Sequence, residues 1–225
     1  MPAICLKLDI VDSRSGSYHE WIEGLIDQLT RYELSFLIEP IRRAGDEVFM
    51  VLDSMDRAWH CVRRILAYSL ETDQAVYLGI GRGQIEHVER GSEGVEGSAI
   101  YYASDALLAL KTQPETELLS EINRGSFRYN LIVSDRAIIN HYHLLTLHAI
   151  ISRMLERTAL QQQASDLKYF YPDRTNAWYA DKLFRSAGGK HAEVNFSKHL
   201  HRADYKLLTE MEQAWIDYFD SEVVR

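Results

Sequence analysis

Apolar and polar positions along this chain fall into short blocks whose period changes from two to about 3.6 and back. Ala3-Ile4-Cys5-Leu6-Lys7-Leu8 is a nearly continuous apolar run closed by Asp9, and it predicts a buried strand over residues 3–9. After a polar turn at 12–16, Trp21, Leu25, Ile26 and Leu29 are spaced for one buried face of a helix over 18–32. Residues 34–38 and 47–52 read as two strands of a hairpin joined around Gly45-Asp46. Asp53-Ser54 then caps a helix to about residue 69, with Ala58, Cys61, Val62, Ile65 and Leu66 facing inward. Residues 75–81 form a short apolar strand, and 83–88 alternate as a separate edge strand would. A helix over 98–110 and a strand over 129–134 complete the series. A helix after the first strand and another after the hairpin predict an α+β fold with one mostly antiparallel sheet.

Beyond Asp135 the pattern is helical only. Leu144, Leu145, Leu147, Ile150, Ile151, Met154 and Leu155 form a broad apolar stripe on one long helix over 138–163. Such a stripe either docks within the chain or pairs with a second copy, giving a homodimer. Tyr171-Pro172-Asp173 and Gly188-Gly189 interrupt the pattern, and short helices end in one over 203–219. The division expected is an α+β domain at 1–137, a connecting or dimerisation helix at 138–165, and an all-helical C-terminal domain at 166–225.

Composition narrows the function classes. In 225 residues the apolar share is 46%, ordinary for a globular protein. No apolar run approaches the roughly 18 residues of a membrane span, and no basic-then-apolar leader opens the chain, so a cytoplasmic protein with no membrane partner is expected. Cys5 and Cys61 fall in apolar patterns and suit neither a disulfide framework nor a zinc site. The net charge of −8 argues against indiscriminate nucleic-acid binding. Residues 168–206 nevertheless carry eight Lys and Arg against four Asp and Glu, which leaves −12 on the remainder. The C-terminal part suits a polyanion that the rest of the chain would repel.

The chemistry most worth weighing is carboxylate. Asp9 closes a strand and Asp46 sits in the turn leading into the next apolar run; carboxylates at neighbouring strand ends can share hard divalent cations, which take oxygen ligands and bridge to phosphate. The competing reading is an ordinary strand end and hairpin turn. Glu47 is either a third ligand or an outward-facing strand residue. His141, His143 and His148 lack the i, i+4 spacing of a helical zinc pair, and Ser134-Asp135 lacks the flanking glycines of a nucleophile elbow. Gly79-Ile80-Gly81-Arg82-Gly83 lacks the Gly-Lys-Ser/Thr of a P-loop, and its glycines suit close backbone packing.

In this order, Leu8-Asp9-Ile10-Val11, Arg42-Arg43-Ala44-Gly45-Asp46-Glu47, the 77–85 strand and Gly97-Ser98-Ala99-Ile100 with Ala103 resemble the class III nucleotidyl cyclases and the GGDEF-type cyclases. Asp9-Ile10-Val11-Asp12-Ser13-Arg14 is similar to the opening of the SatD family, small bacterial proteins of poorly defined activity. The resemblance covers residues 3–135 and extends more loosely to a C-terminal helix-turn-helix, in which residues 196–203 look like a recognition helix. It implies a cyclase/ferredoxin-like antiparallel sheet and Mg²⁺ or Mn²⁺ held by Asp9, Asp46 and Glu47, with the Ile10 carbonyl as a further ligand. It also implies a nucleotide cradled by Val11, Asp12 and Ser13, with Arg14, Gly45 and Arg82 nearby. Two departures stand out. Where the cyclases place Asn and Arg to stabilise phosphoryl charge, this chain has Tyr101 and Asp105, and where the SatD pattern has Pro, His and Arg it has Ser98, Tyr101 and Ser104.

Two functions are therefore expected. One is a regulator whose cyclase-like domain binds a metal–nucleotide, or is a decayed scaffold, and whose helices bind DNA or a partner through Lys190, Lys198, His199, Arg202 and Lys206. The other is an active Mg²⁺-dependent nucleotidyl cyclase or nucleotidyltransferase.

Overall fold

The computed structural model describes residues 1–11, 18–31, 34–43, 45–112, 116–184 and 190–221. The fold is α+β. Its first strand, β1 (Pro2–Ile10), lies at the centre of a five-stranded sheet. Helix α1 (His19–Thr30) leads to the hairpin β2 (Phe36–Arg42) and β3 (Val48–Leu52), and α2 (Met55–Thr72) leads to β4 (Val76–Gln84). The strand order is β2-β3-β1-β4-β5, with β5 spanning Phe127–Ile132. β1 pairs antiparallel with both β3 and β4, and β2 antiparallel with β3; β5 alone joins parallel, beside β4. Elements β1 to β4 thus form two interlocked β-α-β units, each with one strand of the other lying between its own two.

Alternation divides the sheet into two buried faces. Ile4, Leu6 and Leu8 on β1 pair with Leu52, Met50 and Val48, and all six are fully or almost fully buried. On this face lie α1 and α2, with Ile22, Leu25, Val62, Ile65 and Leu66 completely covered. The opposite face carries Ala3, Cys5, Phe49 and Val51, and it packs with Ala99 and Ala103 of α4 (Ser98–Lys111). Gly79, Gly81 and Gly83 pair with Lys7, Cys5 and Ala3 and so share this face. A Cβ on Gly79 or Gly81 would collide with the Ala103 or Ala99 carbonyl, so the glycines let α4 lie against the strand backbone itself. That contact fixes the direction of α4. Its start sits over Gly83, Leu107 sits over Gly79, and its C-terminal end comes over the start of β4.

Three expectations are corrected. The separate edge strand at 83–88 does not form: β4 runs through to Gln84, beyond it Glu86 makes a single bridge to Glu96, and Val88–Arg90 is a 3₁₀ turn before the short α3 (Gly91–Gly94). Gly79, Gly81 and Gly83 form a continuous floor beneath α4, the close backbone packing expected of them. The single helix expected at 138–163 is two, α6 (Ala137–Leu155) and α7 (Ala159–Phe170). Thr158 and Gln161 form a reciprocal capping box that starts a new helix. The structure also adds α5 (Glu117–Arg124), which the sequence reading left as connection, although Thr116 accepts from the Leu119 N–H as an N-cap.

The chain divides into two compact units, Met1–Leu145 with Phe219–Arg225, and Thr146–Tyr218. The division falls inside α6 rather than at residue 137 or 165. In the first unit the end of α10 (Tyr205–Ser221) places Phe219 beside the buried His143, with ring centroids 5.1 Å apart, and the Asp220 carboxylate accepts from the Met55 N–H at 3.3 Å. His143 is therefore a core residue packed edge-on to an aromatic ring. In the second unit, α7, α8 (Asn176–Phe184) and α9 (Lys190–Arg202) enclose Ala164, Tyr179, Ala180 and Phe196, and the Tyr179 and Phe196 rings stack at 4.9 Å. Among the described residues no helix is long and apolar enough to cross a membrane.

Candidate functional site

The site is built by strand register. Leu8 pairs with Val48 at the end of the β1–β3 ladder, so Asp9, the next residue of β1, lies at the end of the sheet where the hairpin turn carries Asp46 and Glu47. In the other direction Asp9 pairs with Tyr77, and Tyr77 with Arg128 on β5. Paired residues share a face. Asp9, Tyr77 and Arg128 therefore form one row across the sheet, on the face that α4 covers. Lys7 stands one step inward on the same face and reaches the Glu47 carboxylate at 3.6 Å. From above, α4 delivers Lys111, whose ammonium pairs with the Asp9 carboxylate. Burial of Lys111 pulls its pKa below the ordinary lysine value.

The hairpin turn carries Asp46 at the same end of the sheet. Gly45 adopts a left-handed φ of 80°, which a side chain would strain, although nothing crowds the space a Cβ would take. The Arg42 guanidinium donates to the Gly45 carbonyl at 2.8 Å, and the Arg43 N–H donates to the Glu47 carbonyl at 2.8 Å, closing the turn. Asp46 Oδ2 is buried with no hydrogen-bond partner among the described residues. A buried carboxylate oxygen without a donor is costly, and it is the atom in this region that most needs a cation or a proton donor.

Asp9, Asp46 and Glu47 thus come to the same end of the sheet, and the hard oxygen donors they offer fit Mg²⁺ or Mn²⁺ in kind. Their geometry is not that of an assembled ligand set: among the described residues no three His, Cys, Asp or Glu side chains are grouped for a metal. Lys111 and Lys7 engage two of the three carboxylates, so a metal at Asp9 requires Lys111 to move aside. Ile10 and Val11 close the strand, with the Val11 N–H donating to the Ala75 carbonyl at 3.0 Å. That amide is satisfied within the fold and would have to leave Ala75 to meet a phosphate. Asp12, Ser13 and Arg14 lie outside the described residues.

Arg82 is not part of the site. It pairs with Ile4, which puts it on the opposite face of the sheet, and its guanidinium lies over the Phe219 ring at 4.6 Å. It is also five residues along β4 from Tyr77, roughly 16 Å. The cation that the sequence reading missed is Arg128. Its Nη1 donates to the Tyr77 hydroxyl at 2.7 Å and its Nε to the Gly125 carbonyl at 2.9 Å, and it makes no ion pair with a described residue. Lys111 was equally missed. The lysine inside the first apolar run was the signal that this sheet end carries paired charge. Tyr101 and Asp105 are exposed, whereas Ala99, Ala103 and Leu107 on the same helix are buried against the sheet. The Tyr101 and Asp105 side chains therefore lie on the solvent side of α4, away from the sheet.

The C-terminal candidates separate similarly. On α9, Lys198 and Arg202 are exposed, while His199 is half-buried against Phe184 with centroids 6.1 Å apart. Lys206 belongs to α10, 4.0 Å from the Glu210 carboxylate. Lys190 opens α9, and its side chain lies outside the described residues. Comparison with protein-family models and with curated protein sequences finds no match to this chain.

Proposed function

We propose that this protein is a ligand-responsive regulator whose sheet unit, cyclase-like in the order of its elements, binds a metal–nucleotide without efficient turnover, and whose helical unit engages DNA or a partner. The observation that carries this reading is the convergence of Asp9, Glu47 and the buried, unpartnered Asp46 Oδ2 at one sheet end. Asp9 and Asp46, with Glu47 beside them, would hold Mg²⁺ or Mn²⁺, which supplies charge neutralisation to bound phosphates. Lys111, released from Asp9, and Arg128 supply further positive charge for the phosphate oxygens. Slow or absent turnover follows from Tyr101 and Asp105, which are exposed and offer no cation to a developing phosphorane.

The test is thermal stabilisation by a panel of nucleoside triphosphates with Mg²⁺ or Mn²⁺. A ligand at 100 times its dissociation constant adds about 2.7 kcal/mol. Arg128→Ala is expected to remove most of that gain and Arg82→Ala to leave it intact. Equal loss in both variants, or no stabilisation of the wild type by any nucleotide, contradicts the assignment. Abundant cyclic or linear nucleotide product from the purified protein favours the enzyme reading instead.

A further inference from the structure

Helix α9 presents a stripe with an unusual composition. His191, Asn195, Lys198 and Arg202 are spaced i, i+4, i+7 and i+11, and all four are exposed. Val194, Ser197 and His201 flank the stripe and are exposed as well. The opposite side of the helix buries Phe196 and packs Ala192 and Leu200 into the core of the helical unit, so the orientation of the stripe is fixed by packing. None of the four stripe residues makes a side-chain hydrogen bond or ion pair with another described residue. The stripe holds no carboxylate; Glu193 lies at its edge, half-buried.

Asp204, the acidic residue nearest Arg202, does not extend the stripe. It sits in the turn after α9 at a left-handed φ of 49°, and its carboxylate meets Arg153 at 3.5 Å. The neighbouring helix adds to the same surface. Asn176, the first residue of α8, lines a cleft of about 610 Å³ together with Glu193, Val194, Ser197, Lys198, His201 and Arg202. Thr175 caps α8 by accepting from the Trp178 N–H at 3.2 Å, and Arg174 beside it lies over the Trp178 ring at 5.6 Å with no carboxylate partner among the described residues.

We infer that this face binds double-stranded DNA, with α9 lying in the major groove and Arg174, at the start of α8, on the phosphate backbone. This gives the regulator reading its partner for the helical unit. Three features favour duplex DNA over another occupant. A 13-residue helix is about 20 Å long, and the B-form major groove is about 12 Å wide and admits one α-helix. Asn, Lys and Arg are the side chains that pair with purine edges, Asn with adenine and Lys or Arg with guanine. The cations without a carboxylate lie in residues 168–206, which carry eight Lys and Arg against four Asp and Glu in a chain that is otherwise acidic. An apolar protein partner would instead need a broad apolar patch, and Val194 is the lone large apolar side chain among the seven residues of the stripe and its flanks.

The experiment is fluorescence anisotropy of the full chain with labelled duplex DNA across a salt series starting at about 50 mM. Arg174 contacts phosphate, and Lys198 and Arg202 contact base edges or phosphate, so log K is expected to fall against log salt with a slope between about −0.9 and −2.7. Lys198→Glu combined with Arg202→Glu is expected to abolish binding, and Arg174→Ala to flatten the slope by about 0.9. All three side chains are exposed at the surface, and an unchanged melting temperature verifies that the variants fold. DNA binding is read in buffer without nucleotide or divalent metal, so failure of the nucleotide site and failure of this inference are told apart. No binding at low salt, binding that the double variant retains, or binding to single-stranded nucleic acid alone overturns the inference.

Discussion

His60 shows how one buried side chain sets a pH limit on this fold. Burial, reinforced by the charges of Arg64 and Arg63, lowers its pKa from 6.5 to about 4. Released on unfolding, the imidazole takes up a proton below its ordinary value. The unfolded chain then binds more protons than the folded one, and stability falls as pH drops from about 6.5 toward 4. The contribution is at most about 3 kcal/mol. His60→Gln is expected to flatten the fall in melting temperature between neutral pH and the lower end of that window, and an unchanged pH profile would refute it. Cys5 and Cys61 are buried thiols, each pushed up to about 12 by desolvation, and are inert packing residues as their apolar surroundings suggested. Of the candidate site, Asp9 and Asp46 were legible because a strand end and a hairpin turn are local patterns. Lys111 and Arg128 were not: each joins the site through a helix or strand far along the chain, and no local period announces a cross-sheet partner. Arg82 entered the candidate site only through the resemblance to cyclases, and strand alternation turns it to the other face.

At the scale of elements, the β4–α4 contact is the feature on which the site's geometry most depends. The glycines let the helix lie close enough for Lys111 to reach Asp9. Gly81→Ala sets a Cβ against the Ala99 carbonyl and the Ala103 backbone, where no flexible side chain can yield. Overpacking of this kind typically costs about 1–3 kcal/mol. The melting temperature is expected to drop accordingly, and a neutral Gly81→Ala would mean that α4 sits farther from the sheet. The capping box at the start of α7 gives a second check: Thr158→Ala is expected to cost about 1 kcal/mol, or about 2–4 °C in melting temperature for a chain of this size. Strands β1 and β3 and helices α1, α2 and α4 were readable because each has one dominant period and a clear core. The 138–163 stripe was read as one helix because apolar spacing continues across the break, and only the polar pair Thr158 and Gln161 marks it. Helix α5 escaped because at eight residues it is short, and its apolar trio Leu118, Leu119 and Ile122 spans little more than one turn.

On the scale of the whole molecule, the sequence separates an acidic α+β part from a helical part with local positive charge, and the chain divides into two compact units. Membership of the sheet unit by the last turn of α10 was not legible, because it rests on Phe219 against His143 and Asp220 against Met55, partners far earlier in the chain. The central claim is that the carboxylates at the end of β1 and in the β2–β3 turn bind a metal–nucleotide. Titration calorimetry of the wild type and of Asp46→Asn with nucleoside triphosphates, in Mg²⁺ or Mn²⁺ and without metal, addresses it most directly. The account predicts metal-dependent binding of at least one nucleotide by the wild type and its loss in a folded Asp46→Asn. Binding that survives both the substitution and removal of the metal, or no binding by the wild type, would contradict it.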